Sequence, residues 1–302
     1  MAAKRFTLRG LSRTNDLFGT IIIYTVVTIL SLTMLLPFVH ELAKSFSYPT
    51  EVEAGKVGFW PKKFTWGNYY YYWRKQRTQL VRAFWNTILI TVIGTCWTVF
   101  HTALLAFPLS RSRKEFRFGA AIIGVVVFCF VFQRPMIPYF LTVKAYGLMD
   151  TRSAIVLTHT VVPFYLFLML NFFRGLPEEL FDACRIDGGN ELHLFWHVVL
   201  PLSKAVLATV AIFSGVVFWN IFFHSRLFIR STDLMPLQPI VRSIMRGGGD
   251  ILQGTLLDQD PFRETESIKS ALIILTTLPV VVAYPFLQKY FAQGARMGAV
   301  KA

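Results

Sequence analysis

The chain has 302 residues, of which 54% are hydrophobic, 16% aromatic and only 16% charged, with a net charge of +14. That balance excludes an ordinary water-soluble domain. Nucleic acid is not an expected partner, because no recognition module or clustered basic face accompanies the charge. Basic loops beside apolar spans mark topology and contact membrane lipid instead.

A basic tail, residues 1–16 with Lys4, Arg5, Arg9 and Arg13, precedes six uncharged apolar stretches: 17–40, 83–110, 118–133, 153–173, 205–225 and 270–288. A helix needs about 20 apolar residues to cross a hydrocarbon layer of about 30 Å, so these predict an all-α membrane protein with six transmembrane helices. The third stretch reaches that length only by continuing past Arg134 toward Leu141. The first is too long for a cleaved leader, lacks a small-residue cleavage site, and is expected to remain as helix one. Six crossings put both termini on one side. The basic tail and the short connection holding Arg111, Arg113, Lys114 and Arg117 place that side in the cytoplasm, where short positive segments are retained.

Residues 41–82 form the first external loop, and their four consecutive tyrosines, Tyr69 to Tyr72, point all round a helix. Such a run suits an aromatic belt at the interface better than one sugar-stacking strip. Arg134 lies in or near the third stretch, where a charge is expensive; it either lines a cavity or snorkels to the interface. Pro135 and Pro138 loosen that helix, which is tolerable only against other helices or water. Gly147, Asp150 and Thr151 mark a tight external turn. The three cysteines, Cys96, Cys129 and Cys184, predict no disulfide framework.

Residues 174–204 break the apolar pattern. Pro177, Glu178 and Glu179 predict a helix start, with proline where no N–H is needed and acids beside the positive end of the dipole. The helix runs through Leu180, Ala183 and Cys184 and stops at Asp187, Gly188, Gly189 and Asn190, which allow a sharp change of direction. A second helix, from Glu191 through Trp196 and Val199, reaches Leu200 and Pro201. Small Ala183 and Cys184, with side-chain-free Gly188, would let another protein's backbone come close. His193 and His197 share a helix face, but no third ligand accompanies them and no metal is expected.

Trp219 and Asn220 close the fifth stretch, where they either face a translocation path or pack helix on helix. Residues 226–269 form a large external loop carrying Arg226, Arg230, Arg242 and Arg246. Its glycines, Gly247 to Gly249, follow no strand and precede no Gly-Lys-Ser/Thr, so the chain is not expected to bind ATP. No internal repeat is found, which disfavours inverted-repeat carriers.

The 174–204 loop resembles the signature loop of the membrane subunits of bacterial ABC importers: Glu-Ala-Ala, three residues, Gly, nine residues, then Ile-x-Leu-Pro. Asp182, Ala183 and Cys184 stand at the triplet, Gly188 at the glycine, Val198 at the isoleucine, and Leu200 and Pro201 at the close. Asp, Cys and Val depart from the usual letters. "FWNTILIT", "VKAYGLMDTRSAIVL" and "RIDGGNELHLFWHVVLPLSKAVLATVAIFSGVVFWN" extend the resemblance to the carbohydrate branch, of the maltose-permease kind, over most of the chain from Ala83 onward.

The resemblance implies the type I ABC importer permease fold with a cytoplasmic coupling helix, in a bacterial inner membrane. It implies that Glu179, Asp182, Ala183, Cys184, Asp187, Gly188, Leu200 and Pro201 serve the contact with an ATPase. The implied partners are two ATPase subunits, which hold ATP and Mg, a second homologous permease, and a binding protein met by the 226–269 loop. The chain itself would bind no cofactor and catalyse nothing. Its cargo would be an oligosaccharide or polysaccharide fragment; the external arginines suit an acidic sugar and equally an acidic surface on the binding protein. Arg134, Trp219 and Asn220 are the candidates for the translocation path. The competing readings are an importer for a non-sugar solute, a membrane enzyme, and an ion-coupled carrier or channel. Carriers usually place Asp or Glu inside a span, and the six stretches hold none.

Overall fold

The computed structural model describes residues 13–112, 115–132, 135–245 and 265–299, and its regular elements within them are all helical. Helix α1 (Arg13–Ser45) is followed by short α2 (Pro49–Glu53) and α3 (Gly67–Tyr71), and a π-turn at Tyr72–Gln76 leads into α4 (Arg77–Ser110). Next come α5 (Gly119–Val131), α6 (Met136–Ala145), α7 (Arg152–Leu157) and α8 (Pro163–Phe173). The loop predicted at 174–204 holds α9 (Glu178–Ile186), α10 (Glu191–Leu194), a π-turn (Phe195–Val199) and α11 (Leu200–Leu202). The chain continues as α12 (Lys204–Trp219), α13 (Phe223–Phe228), α14 (Leu237–Met245) and α15 (Glu266–Ala299).

Among the described residues two helices are long and apolar enough to cross a membrane, Phe18–Ser45 and Arg77–Ser110, or four spans if two bent helix pairs count as one each. The predicted third stretch does not run straight on toward Leu141. Phe132 and Pro135 are extended, and α5 and α6 are turned 119° apart. The fourth stretch, 153–173, is broken between α7 and α8, because Val162 is extended ahead of Pro163, as the ring of a following proline requires. The fifth ends at Trp219 and restarts as α13, after Asn220 leaves the helical region and folds its side-chain amide back onto the Val216 carbonyl at 2.9 Å. The sixth stretch lies inside α15, a single helix despite Pro279 and Pro285.

The described residues up to Trp73, with 265–275, make one compact unit, and 74–245 with 276–299 make another. In the first unit α1 is apolar on every side and exposed from Phe18 to Phe38, the pattern of a helix whose solvent is lipid. Its last carbonyls, which have no partner within the helix, are met by side chains. Asn68 Nδ2 donates to Ser45 O at 2.8 Å and to Ser47 O at 3.0 Å, and Ser47 Oγ donates to Ala43 O at 2.7 Å. Asn68 is held in turn by Ser267 Oγ at 3.1 Å. The tyrosine run does point all round: Tyr69 bonds Ser45 Oγ at 2.8 Å, Tyr72 is buried with its hydroxyl on Ile268 O at 3.0 Å, and Tyr70 faces outward.

In the second unit α4 is the axis. It lies against α12, where Gly94 admits the Phe218 ring so closely that a Cβ would stand 2.7 Å from it, and against α8. Toward its C-terminal end Ala103, Ala106, Phe107 and Leu109 join Leu166, Met169 and Phe173 of α8 in a buried core. Toward its N-terminal end Ala83 and Ile90 pack with Phe218, Ile229, Met235 and Ile240. Buried Asn86 ties that end together: its Nδ2 donates to Asp233 O at 2.7 Å, and its Oδ1 accepts from Arg152 Nη2 at 2.8 Å and Nε at 3.1 Å. Thr87 Oγ1 accepts the Leu237 amide at 2.8 Å. The turn predicted at Gly147 to Thr151 forms, with Gly147 and Asp150 both at positive φ. It is also a clasp: the Asp150 carboxylate accepts from the amides of Arg230 at 2.9 Å and Ser231 at 2.8 Å and from the Ser231 hydroxyl.

Candidate functional site

Helix α9 begins at Pro177, extended at φ −61° and ψ 132°, with Glu178 and Glu179 in its first turn. Phe181 and Cys184 turn inward and join the core formed by α4 and α8. The remaining side chains, Glu179, Asp182, Ala183 and Ile186 among them, are exposed, and these four fall on one face by their three- and four-residue spacing. Ile186 is 85% exposed, an apolar side chain standing in the open beside two acids.

The helix stops through backbone geometry. Asp187 caps it, Gly188 takes φ +79°, and two bonds close the turn, Gly188 N to Arg185 O at 3.0 Å and Gly189 N to Cys184 O at 2.9 Å. These are the paired bonds of a left-handed helix stop. A Cβ on Gly188 would meet nothing, whereas one on Gly189 would lie 2.5 Å from Cys184 Sγ and 2.9 Å from Cys184 O. Gly188 is therefore required by its φ and Gly189 by crowding. Asn190 then caps the next helix, its Oδ1 accepting His193 N at 2.8 Å. Leu200 is partly buried against the same core, Pro201 is exposed, and at Ser203 the chain bends 78° into α12.

Two contacts clamp α9, one to the end of α4 and one to the turn that follows it. The Arg111 guanidinium lies 3.8 Å from the Phe181 ring centre and 4.5 Å from that of Phe107. A cation over a ring face is attracted to its π electrons, and burial holds the Arg111 pKa below its usual value. Arg185 joins Glu115 at 2.6 Å, Glu191 at 3.1 Å and Asp182 at 3.6 Å. The hydrogen bond from Arg185 holds the Glu115 carboxyl below the ordinary carboxylate range and raises Arg185 in return.

The sequence-predicted residues are thus divided. Glu179, Asp182, Ala183, Asp187 and Gly188 are exposed on or just after α9. Cys184 corrects the expectation of a small surface contact: it is buried, because it stands three residues after Phe181 on the inward stripe. Trp219 packs edge-on against Phe84 at 5.9 Å, and exposed Asn220 accepts from Gln238 Nε2 at 3.4 Å. Arg134, Arg246 and the glycines 247–249 lie outside the described residues. The sequence does not single out Arg111, Glu115, Phe181 and Arg185 as a clamp. Arg111 reads in sequence as a topology charge, and nothing local pairs it with a ring seventy positions on.

Comparison with known proteins places this arrangement. Residues 99–297 match the family described as binding-protein-dependent transport system inner membrane component. Protein LplC of Bacillus subtilis is 37% identical over 273 residues, 88% of this chain and 89% of that one. The polygalacturonan/rhamnogalacturonan transport system permease protein YtcP of the same organism is 34% identical over 291 residues, 95% and 99% of the two chains. A chain in the crystal structure of a bacterial ABC transporter involved in the import of the acidic polysaccharide alginate superposes with a TM-score of 0.84 at 28% identity, over 93% of this chain and 99% of that one. The chain therefore belongs to the inner membrane components of binding-protein-dependent transport systems, the non-catalytic, multi-pass permease subunits of ABC importers.

Proposed function

We propose that this permease serves a carbohydrate importer and pairs with a second, homologous permease to enclose the path of an acidic oligosaccharide or polysaccharide fragment. A binding protein delivers the cargo to the outer face, where the 226–269 loop receives it. Two ATPase subunits, carrying ATP and Mg, supply the energy from within. The chain crosses a bacterial inner membrane six times, with both termini in the cytoplasm and residues 174–204 forming the coupling loop. Support for an acidic cargo comes from similarity to the polygalacturonan/rhamnogalacturonan permease and the alginate transporter. Trp219 and Asn220, at the break after α12, and Arg134 are the residues put forward for the path.

The observation that carries the coupling role is the two-sided character of α9. Phe181 and Cys184 fix it to the core of the membrane domain, while Glu179, Asp182, Ala183 and Ile186 present a face that, among the described residues, has no partner in the hydrogen bonds or core apart from the Asp182–Arg185 pair. A lever needs this: one side fused to the load, the other free to seat in a groove. Closure of the ATPases on ATP would then turn α9 and, through Arg111 and Phe181, the end of α4.

The test is purification of the complete importer. Ile186→Asp, which puts a charge on the exposed face without touching the core, is expected to strip the ATPase subunits from a folded permease pair. Phe181→Leu is expected to leave them bound. Uptake of oligogalacturonate by vesicles should require ATP and the binding protein. Normal ATP-independent uptake by Ile186→Asp would sink the reading.

A further inference from the structure

Halfway along α4, polar side chains gather where the neighbouring helix is broken. The uncharged stretch 83–110 is centred between residues 96 and 97. There Trp97 Nε1 donates to Thr160 Oγ1 at 2.9 Å, and Thr98 Oγ1 donates to the His159 carbonyl at 2.9 Å. One turn on, the His101 ring sits 3.9 Å from the Trp97 ring, centre to centre and tilted by 35°. His101 Nδ1 is 2.8 Å from the Trp97 carbonyl. A carbonyl only accepts, so Nδ1 carries the hydrogen, and Nε2 is an acceptor in the neutral ring and a donor once protonated.

Two physical rules meet here. Backbone that is not helical, as at residues 158–162 between α7 and α8, is tolerated at membrane depth only when buried in protein or lining a watery cavity. An ionisable side chain such as His101 at that depth faces a bundle interior or a cavity, not lipid. Yet Trp97 is 36% exposed, and His101 and Thr160 are only half-buried within the chain. The cluster is polar, aromatic and open.

We propose that Trp97, His101 and Thr160 form a carbohydrate-contacting patch at mid-membrane, one that takes a pyranose ring of the cargo. A pyranose has an apolar C–H face and a rim of hydroxyls; the indole supplies a flat apolar surface, and His101 Nε2 and the Thr160 oxygen supply polar contacts at its edge. Phe100 lies 5.2 Å from the His101 ring and 6.1 Å from Trp196 of the 174–204 segment, so the patch abuts the loop assigned to coupling. This inference rests on the carbohydrate-importer reading and adds the residues that touch sugar.

The experiment uses the complete importer in vesicles, with oligogalacturonate as the probe. Thr160→Cys, in a Cys96→Ser, Cys129→Ser background, is treated with a membrane-impermeant thiol reagent. Labelling is expected, and it should slow when cargo is loaded and the importer is trapped with ATP and vanadate. Trp97→Leu should reduce uptake about tenfold, the loss of one aromatic contact, while Trp97→Phe keeps most of it. The ATPase subunits should still co-purify with both variants. Absent labelling, labelling indifferent to cargo, or unchanged uptake by Trp97→Leu overturns the patch alone, provided the unmutated importer transports oligogalacturonate. If the unmutated importer transports no oligosaccharide, the carbohydrate reading falls and the patch with it.

Discussion

The two glycines after α9 are required for different reasons, Gly188 by backbone conformation and Gly189 by crowding. Gly188 sits at φ +79° with open space around an added Cβ. Ala there introduces no clash and only the strain of a left-handed backbone, about 1 kcal/mol, or about fivefold in the fraction of molecules with a correctly closed turn. Asn tolerates that conformation, so Gly188→Asn should be milder than Gly188→Ala. Gly189 has an ordinary φ, but its Cβ would stand 2.5 Å from Cys184 Sγ and 2.9 Å from the Cys184 carbonyl. Sulfur can yield, whereas the carbonyl holds the helix stop and cannot. Gly189→Ala should therefore exceed the penalty of Gly188→Ala, and Cys184→Ala should relieve it only in part. The assay is titration of the ATPase subunit onto permease-containing nanodiscs, read as the change in Kd. If Gly188→Asn proves worse than Gly188→Ala, the volume of residue 188 matters to the partner more than its φ, and the conformational argument fails.

Phe181→Ala removes a fully packed ring and the surface on which Arg111 rests; a loss of about 3–5 kcal/mol is expected, seen as a lowered Tm and early proteolysis of the 174–204 loop. Asn86→Leu deprives Arg152 and two backbone carbonyls of their partner, at about 1–3 kcal/mol for each group left unsatisfied, and Asn86→Asp should restore only the bonds to Arg152, as thermal unfolding would report. The Asp150 clasp has a pH signature. The Ser231 hydroxyl, then the Ser231 and Arg230 amides, hold the Asp150 carboxyl below its usual 3.8. A lowered folded value means that the clasp's contribution is present above 3.8 and vanishes as pH falls through the lower folded value, because protonation then removes the acceptor. Hydrogen exchange at the Arg230 and Ser231 amides should accelerate on that acidification, and Asp150→Ala should abolish the pH dependence.

Arg111 gives α9 the stiffness that the proposed coupling role requires. A guanidinium packed between Phe107 and Phe181 joins the last turn of α4 to the inward face of α9 through flat contacts that resist sliding. The Arg185 to Glu115 pair lies at the surface, with both side chains more than a third exposed, and therefore orients the loop more than it stabilises it.

Much of this protein is determined by local sequence alone. Uncharged apolar runs can be stable only in lipid, so 17–40 and 83–110 declare α1 and α4 without reference to anything else. The motif from Asp182 to Pro201 is local as well: a proline start, acids in the first turn, a left-handed glycine stop and a second helix are all set by neighbours along the chain. Tertiary structure decided what neighbours cannot. Cys184 is as small as Ala183, and only the packing of α9 on α4 and α8 turns one inward and leaves the other exposed. Helix breaks at residues 158–162 and 220–222 lie inside runs apolar enough to read as continuous; their triggers, Pro163 and Asn220, are local, but the backbone freed at the first is met from elsewhere in the fold, as Thr98 meets the His159 carbonyl. Asn86 with Arg152, Asp150 with Ser231 and Arg111 with Phe181 are each separated by tens of residues. Such pairs exist only once the chain has folded, since the loop that brings them together is closed by burial of the helices between them.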